Sequence, residues 1–327
     1  MNLPLLKMLV FEFVCGGGWY RYPNFGSPVE ALNESMLREG TAMLDAVVKK
    51  RLEQLNNEAL LLVPIDSLLL SEIEFNDSFL FNGLLNAKPL FQWSDDHRVQ
   101  LLPVDSHAKL NGVLEMDLKN CDSAIVIAPE IENALFDFTQ QVESSGVKLL
   151  SPNSEVVAIG SDKWLTYRHL GKYKIPTPET FLGSDSIRDL KGRYVVKPRF
   201  GAGSMDVKKI HSNDLIACGV DSNWVIQPLV EGIPASIAVE CEQESGRKLM
   251  FPLMRQVFSS DSFHYLSSEK INDNHLRIRA EGLLKRVVAT LPEFNGYLGI
   301  DIVLGTCSDL DYVIEINPRY TSSFCFV

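Results

Sequence analysis

The chain has 327 residues, of which 46% are hydrophobic and 22% are charged, and its formal net charge is −11 at pH 7. This length exceeds that of one compact core and predicts two or three domains, and the composition is typical of a protein that folds. The acidic balance argues against nucleic acid or an anionic membrane as the main partner, because their phosphate groups would be repelled. No apolar run approaches the roughly 20 residues that cross a bilayer. The six cysteines show no zinc-type spacing, so we expect a cytoplasmic protein with reduced thiols.

The first 150 residues alternate between strand and helix patterns. Apolar runs predict strands in the segments KMLVFEFV, EALLLVPID, SAIVIAPE and VKLLS. Helical spacing occurs from Leu37 to Val48 and again in NALFDFTQQVESSG, where Gly146 would end the helix. This alternation favours an α/β domain over residues 1–150, a Rossmann-like open parallel sheet with helices on its faces. Residues 75–119 show no pattern from which their elements can be assigned.

After residue 150 the pattern changes to strands and turns, which favours an α+β arrangement. Strand patterns occur in GRYVVKPRF, DVKKI, NWVIQPLV, PASIAVECEQ, KLMFPLMRQVF, YLGIDIVLG and DYVIEINPR. The segment HLRIRAEGLLKRVVATL has the spacing of an amphipathic helix. No internal repeat is visible.

A lysine followed by a glycine-containing loop forms the first candidate site. Lys197 stands at the end of a β-branched strand, and Gly201, Gly203 and Ser204 follow it. Bare backbone in such a loop can approach an anion closely, so the combination suits a polyphosphate. The alternative is a hairpin whose glycines only form the turn, and this stretch alone favours neither reading.

Polar residues in the last two predicted strands form the second candidate site. Asp301 lies within YLGIDIVLG, and Glu315 and Asn317 are two residues apart in DYVIEINPR, so their side chains emerge on one face. Three oxygen donors of this kind suit Mg²⁺ when substrate phosphates and water complete its coordination. Taken singly, each residue is more often a strand-end polar group or an ion-pair partner. Their joint spacing predicts a metal site.

Residues 147–319, which contain these motifs in order, resemble the ATP-grasp superfamily of carboxylate–amine ligases. The resemblance implies an ATP-grasp fold in which the N-terminal domain is followed by a central lid, residues 151–228, and a mixed α+β core, residues 229–327. It implies ATP and Mg²⁺ (or Mn²⁺) as cofactors and small-molecule carboxylate and amine substrates, which are joined through an acylphosphate. Dimers are common in the family, so the resemblance allows a homodimer.

The resemblance also implies a role for individual residues. The implied ATP contacts are Lys163 in the segment SDKW, Lys197, the loop residues Gly201, Gly203 and Ser204, the side chain of Gln227, and the backbones of Leu229 and Val230. The implied magnesium ligands are Asp301, Glu315 and Asn317. Either Arg319 or Arg255 is implied to hold the developing oxyanion, and the sequence does not decide between them.

The sequence departs from the family pattern at three places. Gln227 stands where many members carry glutamate, which leaves open the polarity of its contact with the base. For the carboxylate that binds ribose, Glu231 and Glu240 are both candidates. Gly299 stands where dipeptide ligases carry an arginine.

The segment EFVCGGGWY places three glycines at the carboxyl end of the first predicted strand. One hypothesis is that Glu12 and the amides of Gly16, Gly17 and Gly18 face the substrate that is ligated, because open α/β sheets bind ligands at this end. The alternative, of equal weight, is a tight turn from strand to helix.

The segments FEFVCGGG, MLREGTAMLDAV and VIAPE are similar to one ATP-grasp branch, which includes the tyramine–glutamate ligase of methanofuran synthesis and proteins linked to one-carbon metabolism. This similarity implies that glutamate is activated at its γ-carboxylate and captured by a primary amine. Three alternatives stay open: an amino-acid or dipeptide ligase of other specificity, a nucleotide-binding regulator without turnover, and a dinucleotide-binding oxidoreductase. The full set of lysines and metal ligands counts against the regulator, and the lack of a G-x-G-x-x-G run counts against the oxidoreductase.

Overall fold

We describe a computed structural model of the chain. The described residues are 6–22, 34–55, 57–75, 91–185, 191–202, 205–214, 219–259, 263 and 265–326. The chain divides into two compact units. Unit 1 comprises residues 1–128 and 137–151, and unit 2 comprises residues 129–136 and 152–327. The further division of the second half at residue 228 stays a prediction.

Unit 1 is built on a five-stranded parallel sheet. Its strands are β1 (Leu6–Glu12), β2 (Ala59–Asp66), β3 (Val99–Val104), β4 (Ser123–Ile127) and β5 (Lys148–Leu149). They lie in the order β3-β2-β1-β4-β5, and each neighbouring pair is parallel. Strands β1 and β4 are buried along nearly their whole length, because the strands of parallel sheets are covered on both faces. The prediction of an open parallel sheet is confirmed.

Four helices connect or flank these strands. They are α1 (Glu34–Gln54), α2 (Ser67–Phe75), α3 (His107–Gly112) and α4 (Ala134–Ser145). Residues 28–33, with which the predicted first helix begins, lie outside the described residues. Strand β3 and helix α3 fall in the segment that the sequence pattern left unassigned. As an edge strand that is half exposed and contains Pro103, β3 lacks a continuous apolar run.

Unit 2 begins with α5 (Ser154–Ser161) and α6 (Lys163–Lys172) and continues into a four-stranded sheet. The strands of this sheet are β6 (Phe181–Leu182), β7 (Arg193–Pro198), β8 (Lys208–His211) and β9 (Trp224–Pro228). They pair antiparallel in the order β6-β9-β7-β8. Tyr194, Val196 and Ile226 form the apolar centre of one face of this sheet.

A six-stranded antiparallel sheet and one long helix complete unit 2. The strands are β10 (Ile233–Glu242), β11 (Arg247–Met250), β12 (Met254–Phe258), β13 (Tyr265–Lys270), β14 (Gly296–Leu304) and β15 (Tyr312–Asn317), and the helix is α7 (Asn274–Val288). The main order is β13-β12-β10-β14-β15, with β11 also paired to β10. Apolar residues of β10, β14, β15 and α7 form the core cluster of this unit. The mixed α/β and α+β fold class is confirmed.

Two details differ from the sequence prediction. The segment KLMFPLMRQVF, predicted as one strand, forms β11 and β12, which are separated at Pro252 because proline cannot donate a ladder hydrogen bond. Strand β13 carries the polar sequence YLSSEK and gives no apolar signal. Within the described part of the chain, no helix is both long and apolar enough to span a membrane.

Candidate active site

The start of helix α6 is fixed by Asp162. Its Oδ1 accepts hydrogen bonds from the N–H groups of Trp164 and Leu165, at 2.9 and 3.3 Å, and so caps the helix. The Arg199 guanidinium donates to both carboxylate oxygens of Asp162, at 2.8 and 2.6 Å. The N–H of Lys163 donates to the Arg199 carbonyl at 3.1 Å. These contacts join the first residue of α6 to the chain that leaves β7.

The Lys163 ammonium lies at the centre of the candidate site. It is 7% exposed, and its Nζ lies 2.9 Å from Glu315 Oε1 and donates to the Gly201 carbonyl at 2.9 Å. The helix, the loop after β7 and strand β15 therefore meet at one side chain. Gly203 and Ser204, the other two loop residues predicted to bind phosphate, lie outside the described residues.

Lys197 and Gln227 share one face of the four-stranded sheet. Lys197 lies opposite Val225 in the ladder, and Gln227 lies opposite Val195. Directly opposed residues and residues two apart in a strand point to the same face. The face that carries Lys197 and Gln227 is therefore the one opposite the apolar cluster, although both side chains are buried.

Burial lowers the pKa of Lys197 to about 8. The negative charge of Glu315 opposes this shift, the positive charge of Lys163 adds to it, and Asp301 opposes it weakly. Desolvation disfavours an ammonium, so the cation is held in a place where an anionic ligand would be favourable.

The predicted metal ligands lie together on two neighbouring strands. Asp301 is opposite Glu315, and Gly299 is opposite Asn317, so three oxygen-bearing side chains project from the same face of the sheet. Asn317 Nδ2 donates to Asp301 Oδ2 at 3.2 Å, and Gln256 Nε2 donates to Asp301 Oδ1 at 2.9 Å. The donors fix the orientation of the Asp301 carboxyl group and leave the Asn317 amide oxygen as an acceptor.

The two carboxyl groups have different electrostatic surroundings. Burial and then the charge of Glu315 raise the pKa of Asp301 to about 7. Burial would also raise the pKa of Glu315, but Lys163 and Lys197 outweigh it and lower that pKa. A divalent cation beside both groups would favour the charged form of Asp301 and offset both its burial and the repulsion from Glu315.

The chemistry of the donor set fits Mg²⁺. Two carboxylates and an amide oxygen are hard ligands, and Mg²⁺ commonly takes one or two carboxylates together with water and substrate phosphates. Among the residues that the structure describes, no three His, Cys, Asp or Glu side chains are grouped so as to hold a metal by themselves. Of the described side chains, Asp301, Glu315 and Asn317 could hold a cation here, and water or phosphate oxygens would complete its coordination.

The structure separates the two arginines proposed for the oxyanion. Arg319 follows the metal-ligand strand, is 11% exposed in its side chain, and donates to both oxygens of Glu130 at 2.9 and 3.0 Å. Arg255 is exposed on β12. Its neighbour Gln256 reaches Asp301, and adjacent residues of a strand point to opposite faces. Arg319 also helps to lower the pKa of Glu315 and so lies near the predicted metal ligands, whereas Arg255 lies on the opposite face of the sheet.

The segment after β9, whose backbone is predicted to contact ATP, makes hydrogen bonds within the protein. The Leu229 N–H donates to the Arg193 carbonyl at 2.9 Å, and both Leu229 and Val230 are half-buried. Of the two carboxylates considered for ribose, Glu231 is exposed and lies 3.3 Å from the Arg193 guanidinium, whereas Glu240 accepts a hydrogen bond from the Tyr320 hydroxyl. Neither contact assigns a ribose ligand.

In unit 1 the glycine segment forms a closed turn. The N–H of Gly16 donates to the Glu12 carbonyl and that of Gly18 to the Phe13 carbonyl, both at 2.7 Å. The buried Glu12 carboxylate accepts from the Cys15 N–H at 2.7 Å. Burial, followed by Glu12 and Asp66, raises the pKa of the Cys15 thiol. Because two of the three glycine amides already have backbone acceptors, these contacts favour the turn over the substrate site.

Arg199, Gln256 and Glu130 have no role in the sequence prediction, and Asp162 entered it only as part of the segment SDKW. Asp162 directly precedes Lys163, and an aspartate immediately before the first residue of a predicted helix is a capping signal that sequence reasoning can use. Gln256 interrupts the run PLMRQVF, and Glu130 follows the buried strand SAIVI. Their partners are distant in sequence, so only the fold shows what they contact.

Comparison with known proteins agrees with this geometry. A family model described as an ATP-grasp domain matches residues 160–323, and one described as a pre ATP-grasp 3 domain matches residues 86–157. The chain belongs to the ATP-grasp family. ATP-grasp ligases use ATP and Mg²⁺ to form C–N bonds, so this ATP-grasp protein is an enzyme of the ligase class.

Two similar proteins carry the name tyramine–L-glutamate ligase. That of Methanocaldococcus fervens is 28% identical over 291 residues, which cover 89% of this chain and 83% of the relative. That of Methanocaldococcus jannaschii is 28% identical over 299 residues, with 89% and 79% covered.

Solved structures show the same ATP-grasp fold. An ATP-grasp superfamily protein from Archaeoglobus fulgidus matches with a TM-score of 0.62 and 21% identity, over 97% of this chain and 82% of that protein. The D-alanine–D-alanine ligase of Bacillus anthracis, crystallised with ATP, matches with a TM-score of 0.52 and 21% identity, over 68% and 76%. An ADP complex of N5-carboxyaminoimidazole ribonucleotide synthetase matches with a TM-score of 0.64 and 15% identity, over 99% and 73%.

Proposed function

We propose that this ATP-grasp enzyme joins the γ-carboxylate of glutamate to a primary amine, through an acylphosphate. The observation that carries the proposal is the Lys163–Glu315 contact at 2.9 Å, with Lys197 and Asp301 in the same electrostatic cluster. Two buried cations and two carboxyl groups from four separate elements suit a magnesium-bound polyphosphate.

Asp301, Glu315 and Asn317 would hold Mg²⁺. When bound, the cation would neutralise charge on the triphosphate. The chain itself contributes preorganisation, because Glu315 and the Gly201 carbonyl hold the Lys163 ammonium in place before a nucleotide arrives. Lys197 would supply the second positive charge from the facing sheet.

The reaction requires no nucleophilic side chain. A carboxylate oxygen of the substrate attacks the γ-phosphorus of ATP, and ADP leaves. The amine nitrogen then attacks the carbonyl carbon of the acylphosphate, inorganic phosphate leaves, and the nitrogen loses a proton. We assign to Arg319 the binding of the oxygen that becomes negative in the second step, since its guanidinium is oriented by Glu130.

The relatives support the choice of substrates. Two relatives that are 28% identical over 89% of this chain, and of which 83% and 79% are covered, are named for tyramine and L-glutamate. We therefore propose glutamate as the carboxylate and an amine of the tyramine type as the acceptor. A ligase for another amino acid would use the same lysines and predicted metal ligands. The carboxylate substrate and the amine substrate are therefore to be tested separately. A cytoplasmic location and a homodimer, which the family resemblance allows, belong to the same proposal.

Isotope transfer tests the mechanism directly. Glutamate labelled with ¹⁸O in its γ-carboxylate is incubated with the protein, Mg-ATP and tyramine, and the released phosphate is analysed by mass spectrometry. We expect one ¹⁸O atom in each phosphate, because the acyl oxygen leaves with the phosphoryl group. Phosphate without label, formed in the presence of glutamate and amine, would contradict the acylphosphate. ADP formation with other amino acids but not with glutamate would support ligase activity and contradict glutamate as the carboxylate substrate.

A further inference from the structure

The side chain of Gln227 is held by a hydroxyl group on the neighbouring strand. Strands β6 and β9 pair Phe181 with Ile226, so Thr180 stands across from Gln227. Gln227 Nε2 donates to Thr180 Oγ1 at 2.8 Å, and Thr180 Oγ1 donates to the Pro178 carbonyl at 3.0 Å. Thr180 is 3% exposed and Gln227 is 5% exposed.

The order of these two hydrogen bonds defines which end of the amide points to Thr180. The Pro178 carbonyl can only accept, so it takes the single proton of the Thr180 hydroxyl. Thr180 Oγ1 must then accept from its other neighbour, and of the two atoms of the Gln227 amide only Nε2 can donate. With the amide turned over, two acceptors would face the hydroxyl and only one could be satisfied, which is costly for buried groups.

The Gln227 amide oxygen is consequently left as an acceptor. Within the described part of the chain no group donates a hydrogen bond to Gln227 Oε1. This oxygen lies on the same sheet face as Lys197, whose opposite residue Val225 is two positions from Gln227 in β9. A diagonal pair of this kind is about 7–8 Å apart, so a base at Gln227 and a phosphate at Lys197 can belong to one nucleotide.

We propose that Thr180 is a positioning residue for nucleotide specificity, which fixes the Gln227 amide so that the site accepts a base with an amino group at position 6 and rejects one with a carbonyl there. The proposal rests on the proposed function, in which Gln227 contacts the base. Adenine offers hydrogen-bond donors to the fixed oxygen, whereas the carbonyl of hypoxanthine or guanine would oppose it. A site built in this way discriminates strongly, because the wrong base leaves buried polar groups unpaired.

The test compares ATP with ITP, which carries a carbonyl in place of the 6-amino group. Dissociation constants for both nucleotides with Mg²⁺ are measured by calorimetry for the wild type, Thr180→Val and Thr180→Ser. We expect the wild type to prefer ATP, Thr180→Ser to keep that preference, and Thr180→Val to lose roughly tenfold or more of it, because the amide is no longer held in one orientation. Valine has nearly the same shape as threonine, so the variant should fold. Because Lys163 and Lys197 are unchanged and would still bind the phosphates, the affinities for ATP and ITP should both stay measurable.

Two results would overturn the proposal. One is a Thr180→Val protein with the wild-type ratio of ATP to ITP affinity, which would show that Thr180 does not set the preference. The other is a wild type that binds ITP as tightly as ATP. In both cases Mg-ATP would still bind and the proposed ligase function would stand. A wild type that binds neither nucleotide would instead reject the proposed function and the inference with it.

Discussion

Buried polar groups occur both at the carboxyl end of β1 in unit 1 and in the lysine–carboxylate cluster of unit 2, which consists of Lys163, Lys197, Asp301 and Glu315. The two regions differ in where the bonding partners of these groups come from. At the end of β1, Glu12, Cys15 and the glycines bond to one another within a few residues. In unit 2, Lys163 meets Glu315 and Gly201, which lie far from it in sequence. The hydrogen bonds of a closed local turn stabilise the backbone conformation. Charged groups that are brought together from separate elements indicate a binding site.

The electrostatics of the two regions support the same distinction. In unit 1, burial next to acidic groups raises the pKa of Cys15 and keeps the thiol protonated. In unit 2, burial lowers the pKa of Lys197 to about 8 and raises that of Asp301 to about 7. Both groups therefore change their charge near neutral pH. Perturbed groups of opposite sign in one cluster are characteristic of functional sites.

The largest effect is expected from Lys163→Met. Methionine keeps most of the apolar side chain but removes the ammonium group that contacts Glu315, so we expect the rate of ADP formation to fall by roughly 10³-fold. Lys172→Met, on the exposed last turn of the same helix, is the matched control and should stay within about twofold of the wild type. Equal losses in the two variants, measured at the same folded fraction, would mean that the cluster is not the nucleotide site.

A smaller loss is expected from Glu130→Gln, which leaves Arg319 without its charged partner. Because the guanidinium would no longer be held by two oxygens of a carboxylate, we expect kcat to fall roughly 10- to 100-fold while the KM for ATP changes little. Glu132→Gln changes an exposed carboxylate in the same segment and should leave both constants unchanged. A rise in the KM for ATP at constant kcat would assign the pair to nucleotide binding instead.

The protonation of Asp301 predicts how the metal-free protein responds to pH. Its pKa is about 7 in the folded protein, against roughly 4 in an unfolded chain. The folded state therefore holds the proton more tightly, so this group stabilises the fold at pH 4 and the contribution is lost as pH rises from 4 to 7. Denaturant titrations without Mg²⁺ at pH 5 and pH 8 should show this decline in the wild type and a smaller one in Asp301→Asn.

The same proton should weaken cation binding at low pH. A carboxylate must lose its proton to bind a cation, so the affinity for Mg²⁺ with ATP should increase roughly tenfold between pH 6 and pH 8. Calorimetric titrations with Mg²⁺ at the two pH values would measure this change. Equal affinity at both values would show that Asp301 does not take part in binding.

The smallest effect on activity is expected at the turn in unit 1. Gly17 has a φ of +69°, and an added Cβ would lie 2.9 Å from the Tyr20 ring, so Gly17→Ala should lower the free energy of unfolding by about 1–2 kcal/mol. Gly146→Ala is the control, since its φ is +77° but nothing lies within 4 Å of the added Cβ. If the segment binds the ligated substrate instead, Gly17→Ala will raise the KM for glutamate or amine and leave that for ATP unchanged.

The fold, Lys197 and the three predicted metal ligands could be predicted from local patterns, whereas the role of Lys163 came from the family resemblance. The two-residue spacing of Glu315 and Asn317 within an apolar strand shows a shared face, and Asp162 before Lys163 shows the start of a helix. The Arg319–Glu130 contact spans 189 residues and depends on the packing of unit 2, and the Thr180–Gln227 contact depends on strand register. Neither has a local signal, because a polar residue at a strand end is compatible with many partners.

The central claim is that the lysine–carboxylate cluster of unit 2 carries ATP-dependent ligation. The most direct test measures ADP release from Mg-ATP, in the presence and absence of glutamate and tyramine, for the wild type and Glu315→Gln. We predict that both substrates together stimulate the wild type. Glu315→Gln should lose most of that rate, by roughly 10²- to 10³-fold, with only a modest change in the free energy of unfolding. A Glu315→Gln protein that turns over at the wild-type rate would contradict the account.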